Sequence, residues 1–367
     1  MKSDEGPLAQ PGYKVGARRS TRRVMVGTVP VGGGAPISVQ TMTKTKTADV
    51  EATIAQIMQA ADAGCDIVRV TVNDREAAEA IGTIAARSPI PVVADIHFNH
   101  VFALEAIKGN VAKVRLNPGN IGSRDRIKQV LTAAKDKGIP IRIGVNSGSL
   151  EEDILKKYGY PTAEALYESA MRHVEICDSF GFKDVIISVK STDVRLMIEA
   201  YRLVAVRTDI PLHIGVTEAG PTRSGTIKSA VGIGTLLSEG IGDTIRVSLT
   251  DEPVKEVEVG KEILRSLGLA TRGVELIACP TCGRLEVDLF GIMRELEQRL
   301  AGIKKPVKIA VLGCVVNGPG EASEADIGIA AGKGVGILYR KGEVVRRVKE
   351  SEIVDVIVEE VNKFKPE

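Results

Sequence analysis

The sequence has no tryptophan, and aromatic residues make up only 3% of its 367 residues. Proteins that hold single-stranded nucleic acid stack its bases on aromatic side chains, so this composition argues against that function. The net charge is +2, which also argues against a polyanionic duplex held by bulk electrostatics. We therefore expect no nucleic-acid partner.

Long apolar runs are also absent. No run reaches the roughly 18 apolar residues that would span a bilayer, and the N-terminal stretch has no apolar segment able to serve as a signal peptide. Hydrophobic residues make up 44% and charged residues 26%, as in ordinary globular proteins. These features predict a cytoplasmic protein without a membrane partner.

Cysteine is scarce, and its placement is uneven. Of five cysteines, three fall in two segments, "IACPTCGR" at 277–284 and "GCVVNGPGE" at 313–321. In a cytoplasmic protein, Cys-x-x-Cys spacing is more often a metal or catalytic site than a structural disulfide. The other two are Cys65, which follows a helix-ending glycine, and Cys177, which lies in an amphipathic helical pattern; both are interpreted as small core residues.

Short β-branched runs alternate with helical patterns through most of the chain. Between the runs, apolar residues recur at three- and four-residue spacing, and Gly64 and Gly138 stand where helices should end. Eight runs are predicted to be strands: 37–42, 66–72, 91–98, 113–119, 141–148, 184–191, 212–220 and 244–250. Eight β/α units favour a (β/α)8 TIM barrel of the α/β class, and a doubly wound open sheet is the alternative.

The pattern changes near residue 270, where a smaller α/β module begins. We predict three segments: a flexible basic N-terminal tail at 1–20, a substrate-binding barrel at 21–268, and a C-terminal domain at 269–367. All three clustered cysteines fall in the last segment.

Four predicted strands carry an arginine between aliphatic residues. They are Arg69, Arg115, Arg142 and Arg246. A buried guanidinium is unfavourable unless it is paired, and the main acids nearby are Asp95 and Glu218. Active sites of this fold lie at the carboxyl ends of the strands, where further polar residues stand: His97, Asn117, Asn146, Lys190 and Ser248.

This concentration of donors predicts a site for an anion with several charges, because the arginine fork suits phosphate and carboxylate oxygens. The alternative is that some arginines point outward and pair with acids between the helices. Glu218, in "VTEAGP", ends a predicted strand. It is interpreted either as a proton donor or acceptor at the site or as a structural ion pair.

The spacing of the three clustered cysteines leaves the kind of site open. Structural zinc normally takes four Cys or His ligands, but the C-terminal module contains no histidine. A redox dithiol pair would leave Cys314 without a role. Three thiolates with one different ligand suit a [4Fe-4S] cluster, so we favour iron–sulfur and keep zinc as the alternative.

Both cysteine segments, with "QTM", "DIHF", "RLNPGNIG", "RIGVNSGSL" and "VTEAGP", occur in order along nearly the whole chain. Through these segments the sequence closely resembles the bacterial 4-hydroxy-3-methylbut-2-enyl diphosphate synthase family of the methylerythritol phosphate pathway. The resemblance implies an iron–sulfur oxidoreductase. It would open the ring of 2-C-methyl-D-erythritol 2,4-cyclodiphosphate and remove water, using two electrons.

The resemblance also implies roles for individual residues. The ligands of the [4Fe-4S] cluster would be Cys279, Cys282, Cys314 and, as an exchangeable fourth ligand, Glu321. Asn317 would lie beside the cluster, and Glu218 would be the acid on the barrel side. The residues implied to bind the diphosphate are Arg69, His97, Arg115, Arg142, Asn146, Lys190, Arg246 and Ser248.

No convincing nicotinamide fingerprint occurs, so an external electron carrier is expected, and the resembled family uses flavodoxin or ferredoxin. The family likeness also implies a head-to-tail homodimer, in which the cluster domain of one subunit covers the barrel of the other.

On the residues alone, two other classes of function stay open. One is a non-redox barrel lyase or transferase with a zinc-stapled C-terminal domain, and the other is an electron carrier whose barrel is a scaffold.

Overall fold

The structure, a computed structural model, describes residues 17–269 and 273–365. The chain divides into two compact units, Met1–Leu269 and Ala270–Glu367, and each is described by itself.

Residues 1–16 of the predicted tail lie outside the described residues. The end of that tail differs from the prediction, because it is bonded to the barrel. Arg19 Nη1 donates to the carbonyl oxygens of Thr208 (2.7 Å) and Ala205 (2.9 Å), and Arg18 pairs with Asp243 (3.4 Å). These basic residues are therefore attached by their guanidinium groups, which composition alone did not indicate.

An antiparallel hairpin of β1 (Val24–Val26) and β2 (Val29–Val31) precedes the barrel, and it was not predicted. Its buried valines pack against residues near the amino ends of barrel strands, including Ile67 and Val93. The hairpin thus covers the end of the barrel opposite to the expected active site.

The core of the first unit is a ring of parallel strands, as the sequence predicts. The strands are β3 (Ser38–Met42), β4 (Ile67–Thr71), β5 (Val92–Asp95), β6 (Lys113–Arg115), β7 (Ile141–Asn146), β8 (Val185–Lys190), β9 (His213–Ile214) and β10 (Thr244–Ile245). Their order is β8-β7-β6-β5-β4-β3-β10-β9. A bridge between Ile187 of β8 and Leu212, which immediately precedes β9, closes the ring. The TIM barrel is confirmed, and the open sheet is excluded.

Helices surround these strands. They are α1 (Val50–Asp62), α2 (Arg75–Arg87), α3 (His100–Lys108), α4 (Arg124–Asp136), α5 (Glu152–Tyr158), α6 (Ala163–Ser179), α7 (Val194–Arg207), α8 (Thr222–Ser238) and α9 (Pro253–Ser266). Several begin at a residue whose side chain accepts a backbone N–H of the first turn, as Asp49, Asp74 and Asp193 do. Such N-caps satisfy donors that a helix cannot pair internally.

The second unit is a five-stranded mixed sheet with helices on both faces. Its elements are β11 (Val274–Ala278), α10 (Leu289–Leu300), β12 (Val307–Leu312), α11 (Gly318–Ser323), β13 (Ile327–Gly332), β14 (Val335–Arg340), β15 (Glu343–Lys349) and α12 (Ile353–Lys363). Strands β11, β12 and β13 are parallel, and β14 and β15 continue the sheet antiparallel.

Alternation along β12 explains the two covered faces of this sheet. Ile309 packs with residues of α10 and α12, whereas Ala310 packs with Ala322 of α11 on the other face. Neither α11 nor β15 was predicted, because α11 begins Gly-Pro-Gly and most of β15 is exposed.

Candidate active site

The interior of the barrel carries many charged side chains. Lys113 Nζ of β6 lies 3.3 Å from Gln40 Oε1 of β3, and these strands are three places apart in the ring, so the contact crosses the interior. The interior basic residues are Arg69, Lys113, Arg115, Arg142, Lys190 and Arg246, and the charge of Arg69 helps to lower the pKa of each of the other five. Arg69, Arg115 and Arg142 therefore lie with the charged residues of the interior, and the outward alternative is wrong for these three. Arg246 also interacts with interior cations, but its acid partner belongs to helix α9.

Asp95, at the end of β5, is one acid among these cations. Its Oδ1 lies 3.3 Å from Arg115 Nη1, and its Oδ2 lies 3.5 Å from Arg69 Nε. Burial alone would raise the pKa of Asp95, but the charges of Arg69, Arg115 and Arg142 outweigh it and hold that pKa below its usual value. One carboxylate thus balances two guanidinium groups.

Arg142 has no ion pair with an acid that the structure describes. It is 2% exposed, and its Nη1 donates to Ser188 Oγ. Within the described ranges its Nε and Nη2 have no hydrogen-bond partner. Burial lowers the pKa of Arg142, and the charges of Arg69 and Arg115 lower it further. An anion bound here would satisfy the two open donors and reverse this repulsion.

The partner of Arg246 corrects the sequence analysis. Neither Asp95 nor Glu218 pairs with it; Glu256 of α9 does, with Oε1 3.1 Å from Arg246 Nη2 and Oε2 3.3 Å from Nε. Sequence reasoning missed Glu256 because it belongs to a helix outside the strand pattern.

The sequence analysis also missed two interior residues, His213 and Lys113. Lys190 Nζ lies 3.4 Å from Nε2 of the buried His213. Burial lowers the pKa of Lys190 well below its usual range, and the charges of Arg142 and Arg246 add to that effect. The period of two along a strand was the available signal, because it places Lys113 on the same face as Arg115.

The rim holds several of the predicted polar residues. His97 follows β5, with its ring nitrogens 3.0 Å from Arg115 Nη1 and about half of its side chain exposed. Burial and then the charge of Arg115 lower the pKa of His97. Asn117 is committed to the backbone of Gly144, with its Oδ1 accepting at 2.8 Å and its Nδ2 donating at 3.1 Å. Asn146, the last residue of β7, is half-buried.

Glu218 and Ser248 stand at the ends of the last two strands. Glu218 is exposed and has a left-handed backbone (φ 50°), which is uncommon outside glycine. It has no ion pair with any residue that the structure describes, so its predicted pairing with the arginines is not seen. Ser248 is 8% exposed, and its Oγ lacks a hydrogen-bond partner among the described residues.

The three clustered cysteines lie at one edge of the second unit. Cys279 follows β11 and Cys314 follows the neighbouring parallel strand β12. Backbone bonds join the two segments: the N–H of Cys279 donates to Val311 (3.3 Å), and that of Glu286 donates to Gly313 (3.3 Å).

Arg284 links the three sulfurs electrostatically. Its Nε lies 3.4 Å from Cys282 Sγ. That hydrogen bond and the charges of the Cys282, Cys314 and Cys279 thiolates raise the pKa of Arg284. Cys282 thus contacts Arg284, while Cys279 and Cys314 are near enough to interact with its charge, and three thiols at one edge suit a group that binds thiolates. In residues 17–269 and 273–365, no three Cys, His, Asp or Glu side chains are close enough to hold a single metal ion.

The other two predicted residues of this unit flank the beginning of α11. Asn317 precedes the helix, and the N–H of Glu321 donates to its carbonyl oxygen at 3.1 Å. Both residues are exposed, so the Glu321 side chain is accessible. Cys65 and Cys177, by contrast, are buried, and burial raises the pKa of each thiol to about 12. Their interpretation as core residues is confirmed.

Among the described helices, none combines the length and apolarity needed to cross a membrane.

Fold and site together define the class: a barrel enzyme for a multiply charged anion, with a separate α/β unit that gathers three cysteines. The sequence matches the GcpE TIM-barrel domain over residues 21–261 and the GcpE protein C-terminal domain over residues 275–363. The chain belongs to the GcpE family, and the predicted resemblance is confirmed.

Relatives in this family share most of their length with the chain. The 4-hydroxy-3-methylbut-2-en-1-yl diphosphate synthase (flavodoxin) of Clostridium perfringens is 57% identical over 341 residues, covering 93% of this chain and 98% of the relative. The enzyme of the same name from Geobacter sulfurreducens is 56% identical over 347 residues, covering 95% and 98%. These names do not support the non-redox lyase alternative.

Solved structures are more remote. The 7,8-dihydropteroate synthase of Vibrio fischeri is 15% identical and covers 68% of this chain and 99% of its own, with a TM-score of 0.49.

Proposed function

We propose that the chain catalyses the reductive ring opening and dehydration of 2-C-methyl-D-erythritol 2,4-cyclodiphosphate to 4-hydroxy-3-methylbut-2-enyl diphosphate. The relatives carry the name of the synthase of this product. The observation that carries the proposal is the unpaired edge of Arg142 among six interior cations, because such a site demands an anion with several charges.

The substrate's diphosphate binds at the carboxyl ends of the strands. Its proposed ligands are Arg69, His97, Arg115, Arg142, Asn146, Lys190, Arg246 and Ser248. They hold the ring in one orientation and neutralise the phosphate oxygen that gains charge when its bond to carbon breaks.

The cluster site is assigned to Cys279, Cys282 and Cys314, with Glu321 as the exchangeable fourth ligand of a [4Fe-4S] cluster. The support is the shared edge of the three thiols, their common neighbour Arg284 and the exposed Glu321. When bound, such a cluster supplies single electrons and an iron that accepts an oxygen ligand. Asn317 precedes Glu321 by one helical turn, and its carbonyl oxygen accepts the N–H of Glu321 at 3.1 Å, so it is assigned to the same site.

The reaction consumes two electrons and one proton. One C–O bond to the ring phosphate breaks, a hydroxyl leaves as water, and a C=C bond forms. Glu218 is the proposed acid on the barrel side, since its carboxyl is exposed at the end of β9 and engaged in no ion pair among the described residues. In this proposal, the domain at residues 21–268 binds the substrate, and the domain at residues 269–367 holds the cluster.

The proposed electron donor is flavodoxin or ferredoxin, and flavodoxin appears in the names of both relatives. We also propose a homodimer, which the family resemblance implies, and a cytoplasmic location, as the sequence analysis expects.

Anaerobic purification followed by absorption spectroscopy tests the cofactor. We expect a brown protein whose broad visible absorption is bleached by dithionite. Cys282→Ser should lose iron, whereas Cys177→Ala, which changes a buried core thiol, should keep it. A colourless protein with bound zinc would overturn the proposal, and a brown protein that does not bind the cyclic diphosphate would indicate an electron carrier.

A further inference from the structure

Glu256 lies in the first turn of α9, and its side chain is fully buried. It belongs to a helix outside the ring of strands. Buried carboxylates are rare unless their oxygens are paired. The contacts of Glu256 therefore indicate what it does.

Both oxygens of this carboxylate accept hydrogen bonds. Arg246 binds both oxygens, with Nη2 at 3.1 Å and Nε at 3.3 Å. Oε1 also accepts the backbone N–H of Leu249 at 3.0 Å, and Oε2 accepts the hydroxyl of Thr41 at 2.7 Å. Lys44 Nζ lies 3.7 Å from Oε1 and donates to the carbonyl of Leu249 at 2.9 Å.

These contacts join three elements at one place. Thr41 belongs to β3, Arg246 immediately follows β10, and β3 and β10 are neighbours in the ring. The bond to Leu249 fixes the backbone on the far side of Ser248. Glu256 thus holds both ends of the segment that carries two proposed substrate ligands, Arg246 and Ser248.

The geometry also sets which edge of Arg246 is available. The carboxylate takes the N–H of Nε and one N–H of Nη2, which leaves Nη1 and the second N–H of Nη2 for a ligand. A guanidinium held on two of its nitrogens keeps its plane fixed, so little rotational freedom remains to be lost when an anion binds.

We propose that Glu256 is a positioning residue for substrate binding, which orients Arg246 and the Ser248 segment without touching the substrate. The proposal rests on the proposed function, because Arg246 and Ser248 are substrate ligands only in that function.

The first test is Glu256→Gln, which keeps the shape and removes the charge. The amide nitrogen of the new glutamine is a donor and would face the N–H donors of Arg246 or Leu249. The segment that carries Arg246 and Ser248 should therefore lose its fixed orientation. We expect KM for the cyclic diphosphate to rise about ten- to hundredfold, with a smaller change in kcat and an unchanged visible spectrum and iron content. Glu258→Gln, an exposed residue of α9 paired with Lys255, is the matched control and should leave KM unchanged.

A double-mutant cycle separates positioning from general stability. If Glu256 acts mainly through Arg246, then adding Glu256→Gln to Arg246→Ala should raise KM several-fold less than Glu256→Gln raises it in the wild type, since neighbouring residues in one network are not additive. The remaining rise reports on the Ser248 segment. A full further rise in that background would mean that Glu256 acts by another route and would overturn the proposal.

Thr41→Val covers the case in which Glu256→Gln fails to fold. Valine has nearly the same shape as the buried Thr41 but lacks the hydroxyl that donates to Glu256 at 2.7 Å. The pair between Glu256 and Arg246 stays in place. We expect a rise in KM of a few-fold that disappears in the Arg246→Ala background.

Calorimetry with the wild-type protein distinguishes the two possible failures. If the wild type does not bind the cyclic diphosphate, the proposed function fails. If the wild type binds it, and folded Glu256→Gln and Thr41→Val bind it equally well, only the positioning role fails.

Discussion

At the scale of single residues, the anion site depends most on Arg142. Its neighbours Arg69 and Arg115 share Asp95, and Arg246 has Glu256, but Arg142 contacts a serine hydroxyl. Leaving donors of a buried charge unpaired costs several kcal/mol, roughly 1–3 for each group. An anion that pairs with these donors removes this cost, so the unpaired donors favour binding.

Arg142→Ala and Arg246→Ala should therefore raise KM for the cyclic diphosphate strongly. Losing one charge-assisted contact costs about 1.5–3 kcal/mol, which is roughly a ten- to hundredfold change. The visible spectrum should stay intact, because both residues lie in the first unit. Arg75→Ala, which removes an exposed arginine of α2, is the control. Unchanged affinity in both variants would mean that these arginines do not contact the substrate.

Asp95 gives a prediction in pH. Because its folded-state pKa is depressed, its contribution to stability is fully present above the pKa of the unfolded state and is lost as the pH falls through the folded pKa. The melting temperature of the wild type should therefore fall on acidification more steeply than that of Asp95→Asn. Asp136→Asn, at an exposed position of α4, should follow the wild-type curve, and parallel curves for all three proteins would contradict the prediction.

At the scale of elements, the eight barrel strands were predictable because each is a β-branched run between helical patterns. Strand lengths were overestimated at the rim: β6 ends at Arg115 and β9 at Ile214, where the chain turns to present polar side chains. Glu256 could not be predicted as a partner of Arg246, because that pairing depends on how α9 packs against the ring. The exposed strand β15 lacks the apolar signal altogether.

Helix α11 was equally hidden, although it carries Glu321. Its position depends on Gly328 of β13, where an added Cβ would lie 2.0 Å from the carbonyl oxygen of Ala322. The close approach of backbone to backbone is invisible in the local sequence, which offers only an isolated glycine within a strand.

Gly328→Ala should push α11 away from the sheet and reduce both stability and iron binding. We expect a loss of roughly 1–3 kcal/mol, typical of overpacking, measured by thermal unfolding together with iron content. Gly320→Ala is the matched control on α11, since nothing lies within 4 Å of its added Cβ. Equal iron content and equal stability in both variants would show that α11 does not need this close contact.

Glu321→Cys tests the exchangeable ligand. A carboxylate holds iron of a cluster less firmly than a thiolate does, so the cysteine variant should assemble a cluster but lose turnover. In the wild type, electron paramagnetic resonance of the reduced protein should change when the cyclic diphosphate is added, and this change should vanish in Glu321→Cys. Glu324→Cys, at an exposed position just after α11, should retain it. Wild-type turnover by Glu321→Cys would contradict the assignment.

At the scale of the whole molecule, charge is balanced overall and concentrated locally. The chain has 49 basic and 47 acidic residues, yet the barrel interior gathers six cations around Asp95 and Glu256. Such local imbalance fits recognition of a small anion rather than of a charged macromolecule. The second unit contributes the cysteines, and its described residues form no comparable group of interior cations, so the proposed reaction needs both units.

The most direct measurement is anaerobic turnover of the cyclic diphosphate, followed by phosphorus NMR. The iron-loaded protein is mixed with substrate and a chemical one-electron donor, and a second sample omits the donor. We expect the two ring phosphorus signals to be replaced by those of a linear diphosphate, only with the donor present, and not with Cys282→Ser. If iron-loaded protein leaves the substrate unchanged, or opens its ring without electrons, the chain does not perform the proposed reductive dehydration.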